Sequence, residues 1–278
     1  MPDHRNLSKK NSRRGYSPWR LVILLCILVL SGSIWGLIFL NGEQFALRTI
    51  EVRGNQQLSA TAIAVAVREA LAGERAWFLH RDRYWFYSPE QLTASLGARF
   101  GRLASIDVQT PDWQTLRLEI SERKTTALWC PTTDCFYLDE TGLAFAPAPH
   151  FSTPPFVVIA GPESLSTSTW PRLKSQPLSR SVFFRLLNLK LVLENFFEAT
   201  ALKGVQVNQI RVTADGDYRF RLNDFDLLMA ATQSTDEILN LLRTVFTVPV
   251  FNTELALGTK LESLDLRFGQ KVFYRFHE

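Results

Sequence analysis

The longest apolar run of the chain lies near its N-terminus. Leu21–Leu40 contains twenty residues without a charged side chain, and a helix of that length crosses a hydrocarbon core of about 30 Å. Trp19 and Trp35 suit positions at or near the membrane interfaces. The pattern predicts a transmembrane helix over residues 21–40. The alternative is a cleaved signal peptide with its cleavage site at residues 31–33, but the apolar run continues for seven residues beyond that point.

Two regions with different patterns follow the apolar run. In the first, residues 45–123, alternation over Leu47–Arg53 predicts a strand. Ser59 and Ser88 are suitable N-caps for two helices. Two further strands are expected on either side of Pro111-Asp112. This β-α-α-β-β order predicts a small α+β domain.

The second region, residues 124–278, is richer in strands. Its pattern predicts a hairpin with Asp215-Gly216 at the tip, and a final strand over Lys271–Phe276 that follows a turn at Gly269-Gln270. A long helix is expected to begin at Ser179, and a shorter capped helix at Thr235. The chain is therefore expected to be α+β: a single transmembrane helix, a small domain, and a strand-rich β domain with packed helices.

Charge is unevenly distributed along the chain. The net charge is +4, but residues 1–20 carry six cationic side chains against Asp3, so the remaining residues have a net charge of −1. The folded part therefore has no excess of cations for binding nucleic acid. Because the cations precede the apolar run, the positive-inside rule places residues 1–20 in the cytoplasm and the bulk of the chain outside it.

Two of the three cysteines, Cys130 and Cys135, lie five positions apart. The predicted strands Ala127–Cys130 and Cys135–Leu138 are joined by four residues, so the cysteines would lie opposite each other within disulfide range. Outside the cytoplasm such a bond persists, and a structural disulfide is expected. The alternatives are two free thiols, a metal site that lacks its other ligands, and a redox centre, for which Cys-x-x-Cys is the usual spacing.

The sequence contains no motif of enzyme chemistry. The four histidines stand near no serine, cysteine or carboxylate pattern of a catalytic triad. There is no Gly-x-Ser-x-Gly, phosphate-binding glycine loop or His-Glu-x-x-His. The carboxylate pairs Asp139/Glu140 and Asp236/Glu237 are explained by a turn and a helix N-terminus. A non-enzyme without metal, cofactor or small-molecule substrate is expected.

Aromatic residues are concentrated at two places. Trp77–Tyr87, between the two helices of the small domain, is expected to pack in the core, with residues 81–83 as a solvated tip; a membrane-surface belt or a partner site is the alternative. The last strand carries Phe273, Tyr274 and Phe276 and is apolar on both faces. It is either covered by its own domain or an open sheet edge that accepts another strand.

The order of these parts resembles the FtsQ/DivIB family of bacterial cell-division proteins over nearly the whole chain. FALRTIEVRGNQQLSATAI resembles the opening strand and helix of that family's POTRA domain. LEISERKTTALW followed by FYLDETGLAF resembles the junction into its β domain, and LESLDLRFGQKVFYRF resembles its closing hairpin. Two features depart from the family pattern: the cysteine pair, and Phe268 in place of the usual tyrosine.

The resemblance implies a non-enzymatic scaffold of the bacterial division septum, held in the inner membrane by a single span. Its parts would be a basic cytoplasmic tail over residues 1–20, the span over 21–40, a POTRA domain over 45–123 and a β domain over 124–278. Its partners would be FtsB/DivIC-like and FtsL-like single-span division proteins. The alternative is a POTRA-bearing envelope assembly or transport factor, which would be expected to carry several POTRA copies or an outer-membrane barrel.

The resemblance also implies a partner-binding site at the C-terminal hairpin. The FtsB-type partner would add a strand to this edge of the β domain. A guanidinium at the end of the hairpin's first strand would supply a bidentate donor for a partner carboxylate. By motif match, the site residues are Arg267, Phe268, Lys271, Val272, Phe273, Tyr274, Arg275 and Phe276.

Overall fold

A computed structural model describes residues 18–72, 74–76, 79–131, 133–161 and 174–277. These residues form a mixed α+β protein with one apolar N-terminal helix and a body dominated by β-sheet. The coarse fold class is therefore confirmed. Most of the predicted cytoplasmic tail, residues 1–17, lies outside the described residues.

The described chain divides into two compact units. The first consists of residues up to 53 together with 59–96 and 107–119, and the second of residues 54–58, 97–106 and those from 120 onward. The expected boundary between a POTRA domain and a β domain at residues 123 and 124 stays a prediction.

The N-terminal helix α1 spans Pro18–Leu40. Within Trp19–Leu40, an 18-residue stretch has a mean hydropathy of 2.7, and most of the helix's large apolar side chains are exposed. In length and composition α1 is a helix that can cross a membrane. It begins three residues earlier than the predicted span.

The elements between residues 43 and 122 follow the predicted β-α-α-β-β order with one addition. They are a 3-10 turn Glu43–Phe45, β1 Thr49–Arg53, α2 Ala60–Leu71, β2 Glu74–Ala76, β3 Leu79–His80, α3 Pro89–Arg99, β4 Leu103–Gln109 and β5 Thr115–Glu122. The addition is the small sheet of β2 and β3 between the two helices. The other strands form a sheet in the order β1-β5-β4, in which β1 runs parallel to β5.

The described residues from 123 onward are organised around one nine-stranded sheet. Its elements are β6 Ala127–Trp129, β7 Cys135–Leu138, β8 Ala144–Ala148, β9 Val158–Ala160, α4 Arg180–Glu198, β10 Val207–Val212, β11 Tyr218–Leu222, β12 Phe225–Met229, α5 Thr235–Val245, α6 Pro249–Ala256, β13 Leu261–Phe268 and β14 Lys271–Phe276. The strand order is β14-β13-β12-β11-β10-β9-β6-β7-β8. The first and last strands of this order, β14 and β8, are therefore the sheet edges.

The sheet buries apolar side chains together with those of α4, α5 and α6. Alternation on β11 shows the sorting: Tyr218, Phe220 and Leu222 are buried while the residues between them are exposed. On α4 the buried residues recur every three or four positions, as one face of a helix requires. The buried α4 residues are Phe183, Leu186, Leu189, Leu193 and Phe197.

Three local predictions for this part of the chain were incomplete. The predicted hairpin around residues 215 and 216 has a third strand, β12, because the chain turns again at Asn223, which has φ +42°. Helix α5 begins at Thr235 as predicted, and the residue that caps it is Ser234, in a reciprocal arrangement with Glu237. Helix α6 was not predicted; its eight residues contain one buried side chain, Phe251, too few to give a helical period.

The prediction that the aromatic stretch 77–87 packs in the core was wrong for its described aromatic residues: Tyr84, Phe86 and Tyr87 are only half-buried. Trp85 is 49% exposed rather than packed in the core. Arg83, expected at a solvated tip, has a side chain only 11% exposed, and its Nε donates to the carbonyl oxygen of Asn41. Trp77 and Phe78 lie outside the described residues.

Glu122 closes the turn that precedes α2. Its carboxylate accepts hydrogen bonds from the backbone N–H groups of Gln56 (2.7 Å), Gln57 (3.0 Å) and Leu58 (3.0 Å). Partial burial would raise the pKa of this carboxyl, but the three N–H donors outweigh it and the pKa lies below its ordinary value. The ionised form of Glu122 is therefore the one that the fold stabilises.

Asp139 is buried although it is charged. Its carboxylate accepts hydrogen bonds from Arg123 Nη1 (2.5 Å), from the backbone N–H and hydroxyl of Thr141 (2.8 and 2.7 Å), and from the backbone N–H of Leu143 (3.0 Å). Burial would raise the pKa of this carboxyl, but these donors together lower the pKa below its ordinary value. Asp139 therefore joins the turn in which it lies to the arginine that follows β5.

Candidate functional site

The last strand of the chain forms an outer edge of the large sheet. Within the described residues, β14 pairs with β13 on one side and with no strand on the other. Opposite positions in this antiparallel pair include Leu264 and Tyr274, and Asp265 and Phe273. A row of backbone groups on the open side of β14 is therefore available for pairing with another strand.

One hydrogen bond identifies which backbone groups of β14 face outward. The N–H of His277 donates to the carbonyl oxygen of Lys260, across the pair (2.8 Å). Because N–H directions alternate along a strand, those of Phe273 and Arg275 also point at β13. The two register irregularities place the extra residue in β13, so the alternation along β14 is uninterrupted. The N–H groups that point away from the sheet are those of Val272, Tyr274 and Phe276.

One face of β14 packs against the protein's own core. Val272 and Phe276 are half-buried against the core cluster. The ring centroids of Tyr274 and Phe276 lie 5.2 Å and 5.5 Å from that of Phe251 on α6. These contacts hold β14 in place, so the open edge belongs to a hairpin that packs against the rest of its domain.

The opposite face of the hairpin exposes two aromatic rings. Phe268 and Phe273 are 55% and 56% exposed, and their rings meet edge to face with centroids 5.2 Å apart. Lys271 and Arg275 are exposed on the same strand face, and Arg275 lies 3.7 Å from Glu262. The hairpin therefore presents an apolar pair flanked by cations next to the open edge.

Arg267 is bound within its own chain. Its Nε and Nη2 donate to the two carboxylate oxygens of Asp265 (2.9 and 2.7 Å), and Nη1 lies 3.6 Å from a carboxylate oxygen of Asp217. The guanidinium also lies over the ring of Phe268, 5.6 Å from its centroid. The bidentate donor expected for a partner carboxylate is thus used inside the chain, because residues 265 and 267 point to the same face of β13.

The ion pair has an electrostatic consequence for Asp265. Burial would raise the pKa of this carboxyl, but the hydrogen bonds from Arg267 outweigh it and the pKa lies below its ordinary value. The same pairing raises the pKa of Arg267. Arg267 therefore links Asp265 and Asp217 within the hairpin's own domain, and its contact with a partner carboxylate stays a prediction.

We expect the free energy of unfolding to depend on pH differently in the unmodified protein and in the variant Asp265→Asn. The pKa of Asp265 is lower in the folded chain than the value of about 4 in an unfolded chain. Its ionisation therefore stabilises the fold above that pH, and the stabilisation is lost as the pH falls through the folded-state pKa. The free energy of unfolding should be lower in Asp265→Asn at pH 7, and the gap should close below about pH 4. A gap that is constant from pH 7 to pH 3 would contradict this account.

The cysteine prediction is confirmed. Cys130 and Cys135 form a disulfide, with Cα atoms 4.2 Å apart, across the end of the β6–β7 pair. Cys26, the third cysteine, lies exposed on the apolar helix α1. Within the described residues, no three His, Cys, Asp or Glu side chains come together as ligands for a metal ion.

Removing this disulfide should weaken the fold without preventing it. Because the closed loop is short, the double variant Cys130→Ser/Cys135→Ser should lose about 2 kcal/mol of unfolding free energy. Urea titrations of the oxidised protein and the variant measure the difference. Reduction of the unmodified protein should give the same loss, and an unfolded double variant would show that the bond is needed for folding.

The structure brings the predicted site residues together on one hairpin but divides them by role. Phe268 and Phe273 form the exposed pair, whereas Val272 and Phe276 combine outward N–H groups with side chains packed against the core. Tyr274 also has an outward N–H, and its side chain contacts Phe251 but is 38% exposed. Two contributors were missed from the sequence. Asp265 could have been found, since it stands two residues before Arg267 on an alternating strand. Phe251 could not, because its contact with β14 joins elements distant in sequence.

Comparison with family models and with curated proteins found no match, so the interpretation of this site rests on its geometry. The chain matches no protein-family model, and no curated protein matches it significantly.

Proposed function

We propose that this chain is a non-enzymatic, membrane-anchored scaffold of the bacterial division septum. It binds an FtsB/DivIC-like partner by adding that partner's strand to the open edge of β14, and holds an FtsL-like partner with it. The observation that carries the proposal is the open edge itself, with its outward backbone groups beside the exposed rings of Phe268 and Phe273.

The edge offers the two components that strand addition requires. Main-chain pairing to the outward groups of Val272, Tyr274 and Phe276 supplies affinity that does not depend on sequence. The exposed pair Phe268 and Phe273 supplies apolar anchors, which are the residue type that dominates interface energetics. A partner strand would therefore be recognised by its backbone and by apolar side chains that cover this pair.

Charge favours a partner over a second copy of the same chain. Lys271 and Arg275 are exposed on the edge strand, and two copies paired through this edge would bring like charges together. Cations on an edge strand are a recognised means of preventing self-association. The partner strand is therefore expected to carry carboxylates opposite these two residues.

The apolar helix α1 fits the same function. A protein with one N-terminal span and its folded units outside the cytoplasm presents the edge to other single-span proteins in the same membrane. Confinement to one membrane raises the effective concentration of such partners. Modest affinity at the β14 edge would then suffice to hold a complex during septum formation.

Cross-linking in dividing cells tests the proposal. A photo-reactive amino acid at Lys271 should cross-link to a single-span septal protein. The same amino acid at Lys203, exposed in the loop after α4, is the matched control and should not capture that protein. Identical products at both positions, or none at Lys271, would contradict the proposal.

A further inference from the structure

Two exposed tryptophans lie beside the C-terminal end of α1. Trp85 and Trp113 are 49% and 56% exposed, and their rings lie 6.3 Å and 5.1 Å from that of Phe45, centroid to centroid. Phe45 is buried and meets Phe39, in the last turn of α1, at 5.6 Å. Both indoles are thus two ring contacts away from the apolar helix, and all four residues belong to the first unit.

The chain neighbours of both tryptophans are fixed to the segment that leaves α1. The backbone N–H of Tyr84 donates to the carbonyl oxygen of Phe45 (2.9 Å). The side-chain amide of Gln114 donates to the carbonyl oxygen of Gln44 (3.2 Å). The two loops that carry the indoles are therefore held within a few residues of the helix end.

The length of α1 determines the depth in a membrane at which these rings would lie. The helix has 23 residues, which at about 1.5 Å per residue exceeds a hydrocarbon core of about 30 Å. If α1 spans a bilayer, its last turn with Phe39 reaches the boundary between hydrocarbon and headgroups. Indole rings prefer this layer because their apolar body and N–H donor are both satisfied there.

We propose that Trp85 and Trp113 insert into the headgroup layer of the outer leaflet and hold the first unit against the membrane surface. The occupant of this aromatic patch is lipid, because both indoles pack on the buried ring of Phe45, which in turn packs on Phe39 of the exposed apolar helix α1. The inference rests on the membrane anchoring in the proposed function. It adds a second membrane contact and limits the orientations that the first unit can adopt.

Fluorine NMR of the full chain, labelled with 5-fluorotryptophan and placed in phosphatidylethanolamine/phosphatidylglycerol nanodiscs, tests the proposal. Single Trp→Phe variants assign the resonances. The Trp85 and Trp113 signals should lose most of their intensity when a lipid with a nitroxide near its headgroup is present. They should be little affected by a soluble gadolinium chelate. Trp129, buried in the large sheet, should respond to neither agent.

The signal of Trp35, which is exposed on α1, distinguishes failure of the membrane span from failure of the aromatic contact. If Trp35 responds to the nitroxide lipid while Trp85 and Trp113 respond to the soluble chelate, the span stands and the aromatic contact is refuted. A patch that becomes shielded only when a protein partner is added would also refute the lipid contact. If Trp35 does not respond to the lipid, the span fails, and the aromatic contact fails with it.

Discussion

Replacing Tyr274 with proline is expected to weaken partner binding by about 2–4 kcal/mol, which is roughly 30- to 900-fold in Kd. Proline removes the outward N–H at the centre of the open edge and leaves a partner carbonyl unpaired. The hairpin should survive, because the N–H that is lost does not pair with β13. Titration of the full chain in nanodiscs with the captured partner measures the loss, and circular dichroism checks the fold.

Two further variants separate backbone from side-chain effects. Tyr274→Ala removes the ring contact with Phe251 but keeps the N–H, so it should bind far better than the proline variant. Phe273→Pro removes an N–H that points at β13 and should therefore destabilise the hairpin itself. Equal binding by the proline and alanine variants at position 274 would show that no partner strand pairs there.

Replacing Asp139 with alanine should lower the unfolding free energy by about 3 kcal/mol, the largest stability loss expected here. The variant leaves the guanidinium of Arg123 and the turn donors of Thr141 and Leu143 without their acceptor. This value lies at the lower end of the range for breaking a buried ion pair, because the side chain of Arg123 is 25% exposed and water can reach it. Urea unfolding of the full chain in detergent measures it.

The neighbouring residue supplies the control. Glu140 is exposed in the same turn, and Glu140→Ala should change the unfolding free energy by no more than about 0.5 kcal/mol. Arg123→Ala should cost less than Asp139→Ala, since the carboxylate keeps its donors in the turn. Equal losses for the alanine variants at positions 139 and 140 would mean that burial of the carboxylate contributes little.

Elements with local signals could be predicted from the sequence. Helices α2 and α3 begin directly after Ser59 and Ser88, the two serines that the sequence offers as N-caps. The Ser88 hydroxyl accepts from the N–H of Gln91, whereas the Ser59 side chain makes no capping hydrogen bond. The disulfide followed from two cysteines facing across a short loop. Helix α6 and the β2–β3 sheet were missed because neither has enough residues to establish a period.

The candidate site was harder to predict because it depends on contacts between distant residues. The edge position of β14 is a property of sheet order, which pairs β13 with β12 in parallel across the intervening helices. The exposure of Trp85 was hard to predict for the same reason, because it depends on which residues distant in sequence pack against its ring. Arg267 is an intermediate case. Its pair with Asp265 within the chain follows from strand alternation, whereas the contact with a partner carboxylate that the resemblance implies stays a prediction.

Amide hydrogen exchange along β14 tests the central claim most directly. In the free chain, the amides of Phe273 and Arg275 should be protected by β13, and those of Val272 and Tyr274 should exchange rapidly, since they point away from the sheet. With the FtsB/DivIC-like partner bound, Val272 and Tyr274 should become protected as well. Rapid exchange at both positions in the saturated complex would contradict strand addition at this edge.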